Sequence, residues 1–187
     1  QLITDLTWRD PLCDAFIQGA IDYGIPLNRD YNGKSQEGVS YVQRTTSGKF
    51  RRSSSRSFLN PIKKRKNLKI ITNAHVKKII IKNKKAEGIE YFVGNHNGKL
   101  EKIFCEKEIV LSAGVINSPQ ILQLSGIGPA EFLREHDIQI VHELDGVGKN
   151  LRDHYNIRLT GRVKNINTIN EKSRGLPLLK EIFKYLI

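Results

Sequence analysis

Residues 108–114, Glu-Ile-Val-Leu-Ser-Ala-Gly, form an apolar run that ends in two small residues, and the signals of a helix follow them. A buried strand whose carboxyl end carries small side chains lets a ligand approach the backbone, as open α/β sheets do with nucleotides. Tight strand-to-helix packing uses the same residues, so this junction alone leaves both readings open. Gly146-Val147-Gly148 supplies two glycines of a G-x-G-x-x-G phosphate turn, but Leu151 stands where the third belongs. A Walker loop, a G-x-S-x-G nucleophile elbow and an H-E-x-x-H zinc motif are all absent from the sequence. The histidines His75, His96, His136, His142 and His154 lack the spacing of zinc ligands. Asp153-His154 is an acid–imidazole pair of direct neighbours, which seldom aim at one target. It reads more readily as a polar cap that fixes a loop than as an acid–base couple.

The elements that must position these residues are legible in part. Asp10-Pro11 opens a helix, with an acceptor at the cap and proline at the first helical position. Leu12, Phe16, Ile17 and Ala20 give it an apolar stripe, and Gly24 stops it. A polar loop over 28–48 follows, with Asn32-Gly33 as a turn and a short strand expected at 41–43. The serine-rich stretch 51–60 reads as a short helix ended by Pro61. Segments 68–72, 76–81, 86–93 and 99–105 read as four strands of an antiparallel meander, joined by Lys/Asn/Gly turns. Residues 108–112 read as a further strand, buried on both faces because Ile109-Val110-Leu111 is continuously apolar. Helices are expected over 118–124, with Pro119 near its first turn, and from 129 to 136. A strand is expected at 139–142, a glycine-punctuated loop at 145–151 and an amphipathic helix over 178–187.

With 187 residues, 39% hydrophobic and 27% charged, the chain is long enough for a core and excludes collagen, a disulfide scaffold and a disordered chain. No apolar run approaches the ~18 residues of a membrane-spanning helix, and the first ten residues are not a signal peptide. Cys13 and Cys105 fit a reducing compartment. Methionine is absent throughout, position 1 included, which reads as a piece of a longer sequence. The net charge of +12, from 31 basic and 19 acidic side chains, raises nucleic acid or an anionic membrane as partner. Its distribution argues against that. Lys63-Lys64-Arg65-Lys66 and Lys82-Asn83-Lys84-Lys85 sit at expected turns, without interleaved aromatics for base stacking, and read as solvated surface.

A longer pattern joins these pieces. Ser112-Ala-Gly-Val-Ile-Asn-Ser-Pro-Gln-Ile-Leu-Gln-Leu-Ser-Gly-Ile-Gly128 closely resembles the second signature of the glucose–methanol–choline (GMC) family of FAD-dependent oxidoreductases. Asp30-Tyr-Asn-Gly33 with Gln36 and Gly38 resembles its D-[FY]-N-G-x-x-Q-x-G stretch, and the run from Asn67 to Val76 its N-L-x-[VI]-x-T-x-A-x-V strand pair. Gly88-Ile-Glu-Tyr91 is similar to G-V-E-Y, and Gly146-Val-Gly-x-Asn-Leu-Arg-Asp-His154 to P-G-V-G-x-N-L-Q-D-H. Asn170-Glu171 and residues 175–186 resemble the choline- and alcohol-dehydrogenase-like branch. Departures are few: Arg152 replaces Gln, Asp145 stands where proline is usual, and Ser57-Phe58 replaces Ala-Tyr.

The resemblance implies a mixed α/β chain: a slice of a Rossmann-like FAD-binding domain with an antiparallel meander, plus part of a substrate domain. Residues 1–60 are then part of the substrate domain and a return segment, 61–155 part of the FAD domain, and 156–187 the start of the C-terminal substrate domain. The implied cofactor is FAD, met by the backbone of Val76 and by the small-residue turn Ala113-Gly114. The implied reaction oxidises an alcohol to a carbonyl by hydride transfer to flavin. No catalytic residue and no metal ligand is carried over, because the family's dinucleotide fingerprint falls before Gln1 and its catalytic histidine after Ile187. The implied partners are a small-molecule alcohol and an unspecified electron acceptor, without specific nucleic acid. The implied setting is the cytoplasm, with peripheral contact to the inner membrane allowed. The rival readings are a catalytically inactive remnant and a basic module for nucleic acid or anionic membrane.

Overall fold

The computed structural model describes residues 2–48 and 50–186. These fold into two compact units, one up to Leu68 together with the segment from Arg158, the other Lys69–Ile157.

In the first unit, helix α1 (Pro11–Asp22) begins as its sequence dictates. Asp10 has extended backbone, its Oδ1 accepts the Leu12 N–H at 3.0 Å, and Pro11 follows at the first helical position. The chain leaves the helix through Gly24 at φ +101°. The strand expected at 41–43 does not form. Tyr41 instead places its hydroxyl on the N-terminus of α1, 2.8 Å from Asp14 Oδ1, beneath the Arg9 guanidinium at 4.3 Å. Pairing moves to Thr4 and Arg44, which exchange two backbone bonds of 2.8 Å, and to the short antiparallel pair β1 (Thr46–Ser47) and β2 (Phe50–Arg51). The helix expected over 51–60 is one π-helical turn, Ser55–Leu59, closed by the Asn60 N–H on the Ser55 carbonyl. At the other end of the sequence lie the short helix Ile169–Lys172 and the helix Gly175–Leu186; Ile187, in the expected range, lies outside the described residues.

Lys172 fastens this last segment to α1. Its Nζ lies 2.8 Å from Oδ2 of Asp10, a residue only 4% exposed. The Lys172 hydrogen bond, helped by the Leu12 N–H, holds the Asp10 carboxyl below its ordinary value of 3.8, and the same bond raises Lys172 above 10.5. A depressed carboxyl contributes stability above its unfolded value and loses it as pH falls through the folded value. The raised lysine contributes below 10.5 and loses it as pH rises through its own folded value. Asp10→Asn keeps an acceptor for the helix cap but removes the charge. It is expected to flatten the acid limb below pH 3.8 in urea midpoints measured against pH; an unchanged acid limb would show that the pair contributes nothing.

The second unit is built on an antiparallel meander of β3 (Ala74–Lys82), β4 (Lys85–Val93) and β5 (Leu100–Phe104). Asn83 and Lys84 turn the first hairpin with φ of +48° and +61°, the left-handed pair that suits the twist of two-residue hairpins. Ile79, Tyr91 and Glu90 are buried. Glu90 is clamped by Lys102 at 3.0 Å and Lys78 at 3.8 Å, and the Lys102 bond holds its carboxyl below the ordinary range against the opposing effect of burial. With Lys82–Glu87 and Lys99–Glu101 also paired, many lysines of this sheet are partnered within it.

Four expectations shift here. Residues 68–72 form no strand among the described residues, so the meander has three strands. Residues 108–112 likewise form no strand among the described residues, and Val110 is 78% exposed where a doubly buried strand was expected. A strand of that kind is defined by neighbours on both sides, which the described residues do not supply. Helix α2 (Gly114–Leu124) starts four residues earlier than expected, with Pro119 inside it. Beyond it, β6 (Ile127–Gly128) pairs in parallel with β7 (His142–Glu143), bridged by α3 (Ala130–Glu135). The strand at β7 thus lies slightly later than 139–142. Leu133, fully buried, with Ile121, Ala130 and Val147, is the core beneath these helices.

Candidate functional site

Segment 108–112 delivers the chain to Ala113-Gly114, where the backbone turns into α2. Gly114 adopts φ +89°, which an L side chain rarely adopts, and a Cβ built there would meet no atom within 4 Å. The glycine is therefore required by the backbone angle and not by crowding, and open space lies over it. Ser118, one turn into α2, reaches back so that its Oγ accepts the Ala113 N–H at 3.1 Å. This satisfies a donor that helix starts otherwise leave unpaired and fixes the turn to the helix. Val76 lies half-buried on β3, the edge strand of the meander, opposite Tyr91 and beside a register shift between Val76 and Lys78. Helix α2 packs on β3, so all three expected site residues lie on two contacting elements of one unit.

The glycine loop closes against the other side of α2. Gly148, at φ +84°, accommodates Gln123, whose Nε2 would stand 2.7 Å from an added Cβ. The same Nε2 donates to the Val147 carbonyl at 3.4 Å. Between this loop, α2 and α3 runs an open groove of about 960 Å³, lined by Val115, Pro119, Phe132, Lys149, Asn150 and Arg152 among others. Gly148 thus serves a loop packed on a helix, while Gly146 stands open.

The Asp153-His154 pair does not form an acid–base couple. Asp153 Oδ1 accepts the backbone N–H of His154 at 2.7 Å, the loop-fixing role that neighbouring residues favour. The His136 ring is engaged with Phe132, Nδ1 lying 2.9 Å from that residue's carbonyl. Among the described residues no three His, Cys, Asp or Glu side chains gather as metal ligands, and no helix is long and apolar enough to cross a membrane. Residues that reasoning from sequence left without a role are Ser118, Gln123 and Ser125. They lie inside the quoted 112–128 run, where no sequence mark tells these polar side chains from surface ones.

The sequence pattern of the GMC oxidoreductases matches residues 3–156. The chain belongs to the GMC oxidoreductase family. An alcohol dehydrogenase [acceptor] of Pseudomonas putida is 43% identical over 157 residues, covering 84% of this chain and 28% of that protein. An oxygen-dependent choline dehydrogenase of Acinetobacter baumannii is 42% identical over 154 residues, covering 82% and 28%. Among solved structures, an FAD-dependent oxidoreductase from Chaetomium thermophilum superposes with a TM-score of 0.76 at 30% identity, over 81% of this chain and 26% of that one. Pyridoxine 4-oxidase from Mesorbium loti gives 0.70 at 26% identity, over 75% and 27%. The matched region of this GMC chain thus spans little more than a quarter of these relatives.

Proposed function

We propose that this GMC chain is the central portion of a longer FAD-dependent oxidoreductase acting on CH–OH groups, converting a small alcohol to an aldehyde or ketone. The observation that carries the reading is the family match over residues 3–156, with alcohol and choline dehydrogenases among the relatives. The residues present fit the adenosine half of FAD. At Gly114 the backbone is bare and open, and at Val76 an irregular edge strand offers backbone groups to a flat ring. Val76, Ala113 and Gly114 are the cofactor-binding residues of this proposal, and the chain contributes neither a catalytic residue nor a metal ligand.

Bound FAD supplies a hydride acceptor for the alcohol carbon while a base takes the hydroxyl proton. This chain's own share is orientation. Ser118 holds the Ala113 N–H, so the turn keeps its bare face outward, and the packing of α2 on β3 fixes that turn relative to Val76. Residues 61–155 are assigned to the FAD domain, and 1–60 with 156–187 to the substrate domain and its return segment. The principal phosphate turn is assigned to a part of the longer protein before Gln1, and the base to a part after Ile187. Asp153-His154 is not proposed as that base: Asp153 Oδ1 accepts the His154 backbone N–H, as in a loop cap. The proposed setting is the cytoplasm, with contact to the inner membrane no more than peripheral.

Two experiments test this. The longer protein is expected to purify with flavin absorbance that bleaches on anaerobic addition of choline or of an aliphatic or aromatic alcohol; colourless protein, or flavin that no alcohol reduces, contradicts the reading. The chain by itself, given FAD, an artificial acceptor and the same alcohols, is expected to show no turnover above buffer. Turnover abolished by His154→Ala would place an active site within it.

A further inference from the structure

The Ser125-Gly126-Ile127-Gly128 run has so far no part in the cofactor reading, yet Ser125 is 7% exposed and fully engaged. Its Oγ accepts the Ile79 N–H at 2.8 Å and donates to the Ile121 carbonyl. Ile79 lies on β3, whose outer edge has no partner strand in the meander, so a side chain takes a donor that a strand would otherwise take. The β3–β4 register shifts between Val76 and Lys78 and again between Ile80 and Ile81. The serine bond therefore falls between two irregularities of the ladder. Ser125 is also the C-cap of α2, whose opposite end is the Ala113-Gly114 turn tied down by Ser118.

We propose that Ser125 is a positioning residue that, acting through Ile79, holds the Val76 stretch of β3 in fixed register with α2. Val76 and Ala113-Gly114 then keep one geometry toward the adenosine half of the cofactor. The identity of that ligand rests on the function proposed above; the clamp does not. The Ser125 bond joins β3 to the end of α2, and this buried hydrogen bond must break before the two can slip past each other.

The test uses the ¹⁵N-labelled chain, reading amide exchange and FAD-induced resonance shifts in Ser125→Ala and Ser125→Thr. Ser125→Ala is expected to speed exchange at Ile79 about tenfold or more, to move the Val76 and Lys77 resonances, and to shrink the FAD-induced shift at Val76. Ser125→Thr retains the hydroxyl and is expected to restore all three. A general loss of stability would instead raise exchange evenly along β3, β4 and β5, without rescue by threonine, and that result overturns the proposal. So does unchanged exchange at Ile79, or an FAD response that stays the same although Ile79 is freed. If FAD shifts none of Val76, Ala113 and Gly114 in the unsubstituted chain, the cofactor reading fails while the exchange data still decide the clamp. Should Ser125→Ala not fold, Ser125→Cys, close in shape and a weaker acceptor, is expected to give an intermediate rise confined to Ile79 and its flanks; no rise there overturns the clamp.

Discussion

Gly126→Ala is expected to destabilise the 69–157 unit strongly. Gly126 sits at φ +83°, and a Cβ there would overlap the Gln139 carbonyl oxygen and lie 2.8 Å from Val141 Cγ2. Its own carbonyl accepts both the Val141 N–H at 2.9 Å and the His142 N–H at 3.1 Å, so the backbone is held against the segment it would have to leave. A left-handed angle at a non-glycine residue costs on the order of 1–3 kcal/mol, and overpacking against backbone about as much again. Together these reach roughly 2–6 kcal/mol against a typical total of about 5–15. A urea midpoint lowered steeply in Gly126→Ala, with loss of the circular dichroism transition at moderate temperature, is the expected result. A midpoint within error of the parent would mean that the crossing of β6 and β7 is not built as described.

Gly114→Leu separates binding from folding. Nothing in the protein lies within 4 Å of an added Cβ, so the fold resists this substitution only through the strained backbone angle of +89°. The leucine side chain then occupies the open space over the turn, where the flat cofactor edge is proposed to approach. Crowding of a close backbone approach is expected to reduce FAD retention by about tenfold or more in the longer protein, for a cost in stability of about 1–3 kcal/mol. Gly114→Ala, with the same angle and far less bulk, is expected to share the stability loss but keep most of the flavin. Full flavin occupancy in Gly114→Leu would remove Gly114 from the site.

Much of this was legible from local chemistry. The α1 start at Asp10-Pro11 and its stop at Gly24 rest on cap and breaker residues whose effect is confined to one turn of chain, and they stand where their types require. The strands from β3 to β5 rest on β-branched runs between turn residues, and they pair as a meander because each partner lies nearby in sequence. What failed needed distant partners. Residues 108–112 and 68–72 carry strand-like composition, but composition does not supply a neighbour, and neither forms a strand among the described residues. Tyr41 reads as a strand residue until its hydroxyl finds the start of α1, a contact between sequence-distant elements that no local rule anticipates. At the site, Ala113-Gly114 was visible as small residues after an apolar run. The parts of Ser118 and Ser125 were not, because a serine in a helix has no sequence mark that tells a surface hydroxyl from a buried clamp.

The central claim is that Val76, Ala113 and Gly114 together face the adenosine half of FAD. It is tested most directly by following the backbone amide resonances of the labelled chain as FAD is added to about 1 mM, where an interaction of only −4.1 kcal/mol is half saturated. The account predicts weak, rapidly exchanging binding, with the largest shifts at Val76, Ala113 and Gly114 and smaller ones along the first turn of α2. Resonances at those three residues that stay fixed, while the shifts gather elsewhere or fail to appear, would contradict it.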